Sequence, residues 1–231
     1  MNDEQILTNP IWSALVSDNA ALGTGSDQVM IFDADVAPFA GLASDTPENF
    51  QTLYELVEEG RTVVLFSPKQ ELDTLPFEHV LKVSGYQMVF EAELPDLDPD
   101  SNVVRLDENN IPGMLALTQL AQPGPFTERT IAFGGYLGIF QEGVLVAMAG
   151  QRLKSPGFVE ISAVCSHPDH SGKGYARKVV NAVLRDILAT GDTAYLHVRS
   201  DNTRAVELYK SMGFAIRRDM NFYVLSKKPV L

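Results

Sequence analysis

The sequence predicts an α/β protein of two units, a small acidic α/β domain over residues 1–95 and a larger one over 101–231. Three observations carry this. Apolar runs of strand length alternate with stretches whose apolar residues recur at helical spacing. A proline- and aspartate-rich linker, Leu94-Pro95-Asp96-Leu97-Asp98-Pro99-Asp100, separates the two halves. The charge divides at the same place: residues 1–100 hold 19 acidic and 3 basic residues, residues 101–231 hold 11 and 15, and together they give the net −12.

In the first unit, residues 11–16 are helix-like and residues 29–32 read as a buried strand. Phe50, Leu53, Tyr54 and Val57 lie at helical spacing. They predict a helix from Pro47, capped by Asp45 or Thr46 and ended by Gly60. Residues 62–66 form a strand stopped by Ser67-Pro68, and residues 86–90 another. No cluster in this unit announces chemistry. Its acidity is either solvated surface or an attraction for a cationic ligand.

In the second unit, residues 103–106 read as a strand and 107–122 as a helix, with Pro112 near its start and Pro123 past its end. Residues 136–140 and 144–149 make a hairpin around Gln141-Glu142-Gly143, and residues 158–166 a further strand. A glycine loop then opens a helix with an apolar stripe at 176, 179, 180, 183, 184, 187 and 188. A strand at 193–198 precedes a short helix striped by Ala205, Leu208, Tyr209 and Met212 and ended by Gly213. Residues 214–217 and 222–225 close the unit as a hairpin.

Composition narrows the function. The chain has 231 residues, 45% of them hydrophobic, enough for a substantial core. One cysteine, Cys165, allows no intramolecular disulfide and suits a reducing cytosol. The N-terminus is acidic where a signal peptide is basic, and no apolar run approaches the ~20 residues of a membrane span. The expectation is a soluble, cytoplasmic protein. Its negative charge argues against nucleic acid. Its four histidines and one cysteine have no metal-ligand spacing.

The glycine loop is the chemical centre. In Ser171-Gly172-Lys173-Gly174-Tyr175-Ala176-Arg177-Lys178, two glycines at the mouth of a helix leave first-turn amides open to an anion. Lys173, Arg177 and Lys178 add side-chain charge. A diphosphate suits such a site, although many loops of this kind only cap a helix.

Two motifs together resemble the GNAT superfamily of acyl-CoA-dependent N-acyltransferases over roughly residues 101–228. The loop matches the family's Arg/Gln-x-x-Gly-x-Gly/Ala at both small-residue positions, with Ser171 departing from Arg or Gln. The second match is Leu196-x-Val198-x-x-x-Asn202-x-x-Ala205-x-x-Leu208-Tyr209-x-x-x-Gly213-Phe214. His167-Pro168 and Gly174-Tyr175-Ala176 look most like the glycine N-acyltransferase-type branch.

The resemblance implies a mixed, mostly antiparallel sheet flanked by helices, and acetyl-CoA as co-substrate without a metal. It implies that the amides from Gly172 through Lys173, Gly174, Tyr175 and Ala176 to Arg177 hold the diphosphate. A strand edge at Val164, Cys165 and Ser166 would pair with the pantetheine arm, and a backbone amide there would polarise the thioester carbonyl. Asn202 would touch the arm or cap its helix.

Tyr209 would return a proton to the thiolate; otherwise it is a core tyrosine. Glu160, mid-strand among apolar neighbours, either deprotonates or binds an ammonium substrate or is an outward-facing strand glutamate. His197 is a second candidate base, with a structural strand histidine as the other reading. Cys165 reads as packing, facing with Ala163 and Ile161. The expected reaction is acetyl transfer to a primary amine, small molecule or peptide. The alternatives are an inactive acyl-CoA sensor or a protein-interaction module. A homodimer is compatible, and the amine cannot be read.

Overall fold

In the computed structural model, which describes residues 3–93, 100 and 102–227, the chain opens with helices α1 (Asp3–Thr8) and α2 (Pro10–Leu15). Strands β1 (Gly23–Gly25), β2 (Val29–Phe32) and β3 (Ala40–Leu42) form a small antiparallel sheet. Then come α3 (Pro47–Leu56), β4 (Thr62–Ser67), β5 (Glu78–Phe90) and β6 (Val103–Arg105). Helix α4 (Ile111–Ala121) leads into β7 (Leu137–Gln141), β8 (Val144–Ser155) and β9 (Phe158–Ser166). The chain continues through α5 (Tyr175–Ala189), β10 (Thr193–Arg199), α6 (Thr203–Lys210) and β11 (Phe214–Ser226).

The expected mixed, mostly antiparallel sheet flanked by helices is present. Eight strands run in the order β4-β11-β5-β10-β9-β8-β7-β6, and only the β9–β10 pair is parallel. Helix α5 lays Val179, Val180, Val183, Leu184 and Ile187 onto one face, in a core shared with Ile161, Leu196 and Tyr209. Each such aliphatic chain contributes roughly 1.5–3 kcal/mol. The other face is covered from the N-terminus: Ile6, Leu7, Ile11 and Leu15 pack with Phe32 and Phe39 against Leu153, Phe158 and Tyr195.

The sheet runs across the expected division near residues 95–101. β4 and β5, both from the N-terminal part, pair with β11, and β5 also pairs with β10. Most of the expected linker, residues 94–99, lies outside the described residues.

The C-terminal hairpin expected from residues 214–217 and 222–225 is instead one 13-residue strand, paired along an equally long β5. Its polar middle reads as a turn in sequence, but Arg217 is absorbed as a bulge between Ile216 and Arg218. The Arg217 guanidinium donates to Gln87 Oε1 at 3.0 Å and that of Arg218 to Thr8 Oγ1 at 2.9 Å.

Local signals elsewhere act as expected. Thr46 Oγ1 caps α3 by accepting from the Asn49 amide at 3.3 Å, and Pro47 is its first residue.

Gly213 joins α6 to β11 at φ +97°, and a Cβ there would lie 2.4 Å from Ala92 Cβ. Gly213→Ala is therefore expected to cost about 2 kcal/mol or more, adding left-handed strain to a contact with no room. Urea unfolding measures this, and a loss below ~0.5 kcal/mol would contradict it.

Candidate active site

The site is built where two strands part. β9 and β10 pair in parallel from Phe158/Thr193 to Ile161/Leu196 and no further. Beyond that rung β9 bends toward β8, with Gly150 opposite Ser162 and Met148 opposite Cys165. β10 stays on β5, with His197 opposite Gln87 and Arg199 opposite Gly85. The extra residue on β9 forms a bulge in which Ala163 adopts φ +52°.

The bulge also redirects the side chains. Ile161 lies in the α5 core, while Ala163 and Cys165 turn to the cluster around α4. Cys165 therefore faces with Ala163 as expected but not with Ile161. Burial pushes its thiol up to about 12, which fits packing.

The opening is a cavity of about 970 Å³ that runs from the glycine loop through the split to the opposite sheet face. At the loop end, Gly172 and Gly174 sit at φ +79° and +77°, and a Cβ on either would meet nothing within 4 Å. Gly174 is the N-cap of α5 and offers no capping side chain. The first-turn amides of Tyr175, Ala176 and Arg177 therefore keep their donors open toward the cavity they line.

Val164, Cys165, Ser166 and Asn202 line the same cavity. Ser166 Oγ is buried without a partner among the described residues. Asn202 Oδ1 caps α6 by accepting from the Ala205 amide at 3.2 Å, leaving its amide nitrogen to the cavity. These features fit a diphosphate with an extended arm.

The loop's charges divide. Arg177 reaches Ser211 Oγ at 2.5 Å, fastening α5 to the end of α6 at the cavity rim. Lys178 turns away to Asp100 at 2.7 Å, and Lys173 lies 3.3 Å from His170 Nδ1.

Tyr209 lies at the split, on the α5 side. Its ring packs edge-on against Phe214 at 6.0 Å, and it lines the cavity. Burial, with a lesser contribution from Cys165, pushes its phenol above the usual range, so the hydroxyl keeps its proton at neutral pH.

Across the split, side chains of opposite parity meet on the other face. Glu160 is fully buried, and Arg152 clasps its carboxylate through Nε and Nη2 at 2.6 and 2.5 Å. A bulge in β8 frees the Leu153 amide, which donates to Glu160 Oε2 at 3.4 Å. His197 Nδ1 is 2.7 Å from Glu160 Oε1, and its Nε2 is 3.1 Å from Gln87 Nε2, which also donates to Leu7 O at 2.7 Å. Since the Gln87 amide nitrogen can only donate, Nε2 accepts and Nδ1 carries the proton.

Burial raises the Glu160 carboxyl, but Arg152's charge and bonds and the His197 bond outweigh it and hold the group at about 2. Burial pushes His197 down, beyond what Glu160 restores. The network is an ionised Glu160 beside a neutral imidazole whose two nitrogens are both engaged. Either group must break a bond before it can take a substrate proton.

Sequence reasoning singled out Glu160 and His197 but missed what joins them. A cation on the neighbouring strand was the readable signal: β8 carries Arg152 and Lys154, and Arg152 holds the mid-strand carboxylate. Gln87 was inside a predicted strand but silent. The aromatic wall of Phe39, Phe66 and Phe222 was also missed, because it assembles from β4, β11 and the β2–β3 turn.

The geometry has counterparts. A family model described as FR47-like protein matches residues 136–224. A solved structure from Novosphingobium aromaticivorans DSM 12444, of a protein from the GNAT family, superposes with a TM-score of 0.90 at 30% identity, covering 96% of this chain and 99% of that one. The chain belongs to the GNAT family of acetyltransferases, whose members use acetyl-CoA.

An N-alpha-acetyltransferase RimI of Mycobacterium tuberculosis is 38% identical over 82 residues, 34% of this chain and 51% of that relative. The chain thus spans about half the length of this curated relative. A GCN5-related N-acetyltransferase-like protein from Streptococcus suis shares the fold, with a TM-score of 0.62 at 16% identity over 94% of this chain. No described helix is long and apolar enough to cross a membrane.

Proposed function

We propose that the protein transfers an acetyl group from acetyl-CoA to a primary amine by direct attack on the thioester. One observation carries this: the strand edge freed at residues 162–166 joins the open amides of α5 to Tyr209 in one cavity. The diphosphate rests on the amides from Gly172 to Arg177. The arm runs along Val164, Cys165 and Ser166 as an added strand, with Asn202 beside it.

The amine enters from the opposite face, alongside Arg152 and the aromatic wall it packs on. Arg152's positive charge disfavours an ammonium there and so promotes the neutral nucleophile. Attack on the carbonyl carbon forms the C–N bond, and collapse breaks C–S. The amine then gives up one proton to water in the cavity, Tyr209 delivers its own proton to sulfur, and the released proton restores the Tyr209 phenol. Glu160 and His197 act as positioning residues that hold the wall and Arg152.

The likeness to the glycine N-acyltransferase-type branch rests on two short segments and remains part of this proposal. So does the cytoplasmic location. The matched stretch of the RimI relative supports a peptide amine as a second reading of the acceptor.

A thiol-release assay with acetyl-CoA against a panel of amines tests the reaction. Absence of release with every amine while CoA binds would favour the acyl-CoA sensor. Gly174→Val is expected to weaken acetyl-CoA binding at least ~10-fold by calorimetry. The substitution puts a branched side chain at a left-handed position and fills the space the diphosphate needs. Unchanged affinity would remove this loop from the diphosphate site.

A further inference from the structure

The acceptor end of the cavity has a charge pattern that neither the net charge nor the acidic N-terminal part forecasts. The cavity lining holds four arginines (Arg152, Arg177, Arg199 and Arg204) against one carboxylate, Glu207. Arg177 and Arg204 lie on α5 and α6 beside the glycine loop, and Arg199 is occupied by Asp201 at 2.6 Å. Four lining residues from the N-terminal part, Phe39, Val64, Phe66 and Val83, are apolar. At the acceptor end Arg152 is the charged group that reaches the cavity, because Glu160 has no exposed surface.

Arg152 is also only half used. Its Nε and Nη2 hold Glu160, whereas Nη1 bonds no described residue, and the side chain keeps 13% exposure. The guanidinium lies over the rings of Phe39 at 4.8 Å and Phe66 at 5.6 Å, which fix its plane. A planar fork with one edge spent on a buried carboxylate and the other open into an apolar chamber is suited to a second carboxylate.

Around it Phe66 and Phe222 pack as tilted rings across β4 and β11 at 4.8 Å, with Val64 opposite Val224. That wall gives an apolar body somewhere to go. At this end of the cavity a polycation would find neither an exposed carboxylate nor a polar wall.

We infer that the acceptor is a small amine bearing a carboxylate and an apolar body, with Arg152 as the residue that holds the carboxylate. This rests on the acetyl-transfer reading above for the amine, but not for the binding of the carboxylate.

The experiment is therefore a binding comparison on the whole protein, with and without saturating CoA. The probes are phenylalanine, 3-phenylpropanoate, phenethylamine, phenylalaninamide and spermidine. Phenylalanine and 3-phenylpropanoate should each bind at least ~10-fold tighter than phenethylamine and phenylalaninamide, as expected for a charge-assisted fork.

Arg152→Lys, which keeps a cation beside Glu160, should lose most of that preference and keep its affinity for CoA. Equal binding of phenethylamine or phenylalaninamide, preference for spermidine, or no binding of either carboxylate overturns the inference. A peptide bound better than free phenylalanine overturns it as well. Loss of CoA binding with carboxylate preference intact would strike the acetyl-transfer reading instead.

Discussion

Glu160→Gln is expected to destabilise the fold by about 3–5 kcal/mol, the cost of leaving a buried cation without its counter-charge. The substitution keeps the shape and removes only the charge that Arg152 surrounds at 2.6 and 2.5 Å. Denaturant unfolding at neutral pH measures it, and a loss below ~1 kcal/mol would mean that Arg152 relaxes outward into the cavity. Pairing Glu160→Gln with Arg152→Met should recover part of the loss, since no buried charge is then left without its counter-charge.

The same network sets a response to acid. Glu160 is held at about 2 against an ordinary 4.5, so its contribution is complete above pH ~4.5 and is lost as pH falls toward 2. His197 is lowered from 6.5, so the unfolded chain takes its proton first. Its contribution begins to fall below about pH 6.5, before that of Glu160. Wild-type stability should decline in both windows, and Glu160→Gln should remove the lower one. A wild-type profile flat between pH 4.5 and 3 would contradict the buried, ionised state of Glu160.

What could be read from sequence followed the range of the interactions. Helix α3 was legible because cap, proline and stripe are all local, α5 because its stripe is, and so was the strand at 158–166. The diphosphate loop was legible for the same reason: two glycines and a helix start are consecutive.

Strands β5 and β11 were read short because their polar middles are stabilised by each other, with Ser84 opposite Asn221 and Gln87 opposite Arg218. Glu160 showed that something unusual sat in mid-strand, but nothing local to it named Arg152 or Gln87. Arg152 arrives from β8, and Gln87 from β5 meets His197, 110 positions away along the chain. Of the two readings of the acidity of the first 100 residues, solvated surface fits the cavity better, since what they contribute to it is aromatic and aliphatic.

Tyr209→Phe is expected to lower turnover at least ~10²-fold, in the range of a lost general acid, with acetyl-CoA affinity changed little. The ring's packing on Phe214 survives the substitution, so a folding defect is not expected. Burial makes the phenol a reluctant acid, which alone would weaken its candidacy. In the proposed reaction, however, the leaving sulfur would depart within the cavity that Tyr209 and Cys165 both line. Cys165, close enough to influence Tyr209, is itself pushed up to about 12 by burial. A CoA thiolate released there would likewise be made more basic by burial, which would keep phenol and thiolate matched.

Single-turnover rates with a good acceptor, alongside calorimetric acetyl-CoA binding, separate chemistry from affinity. An unchanged rate would leave Tyr209 as a core residue and shift the proton's source to solvent. A slower rate that recovers with a thioester of lower thiol pKa would identify the missing proton as the one delivered to sulfur.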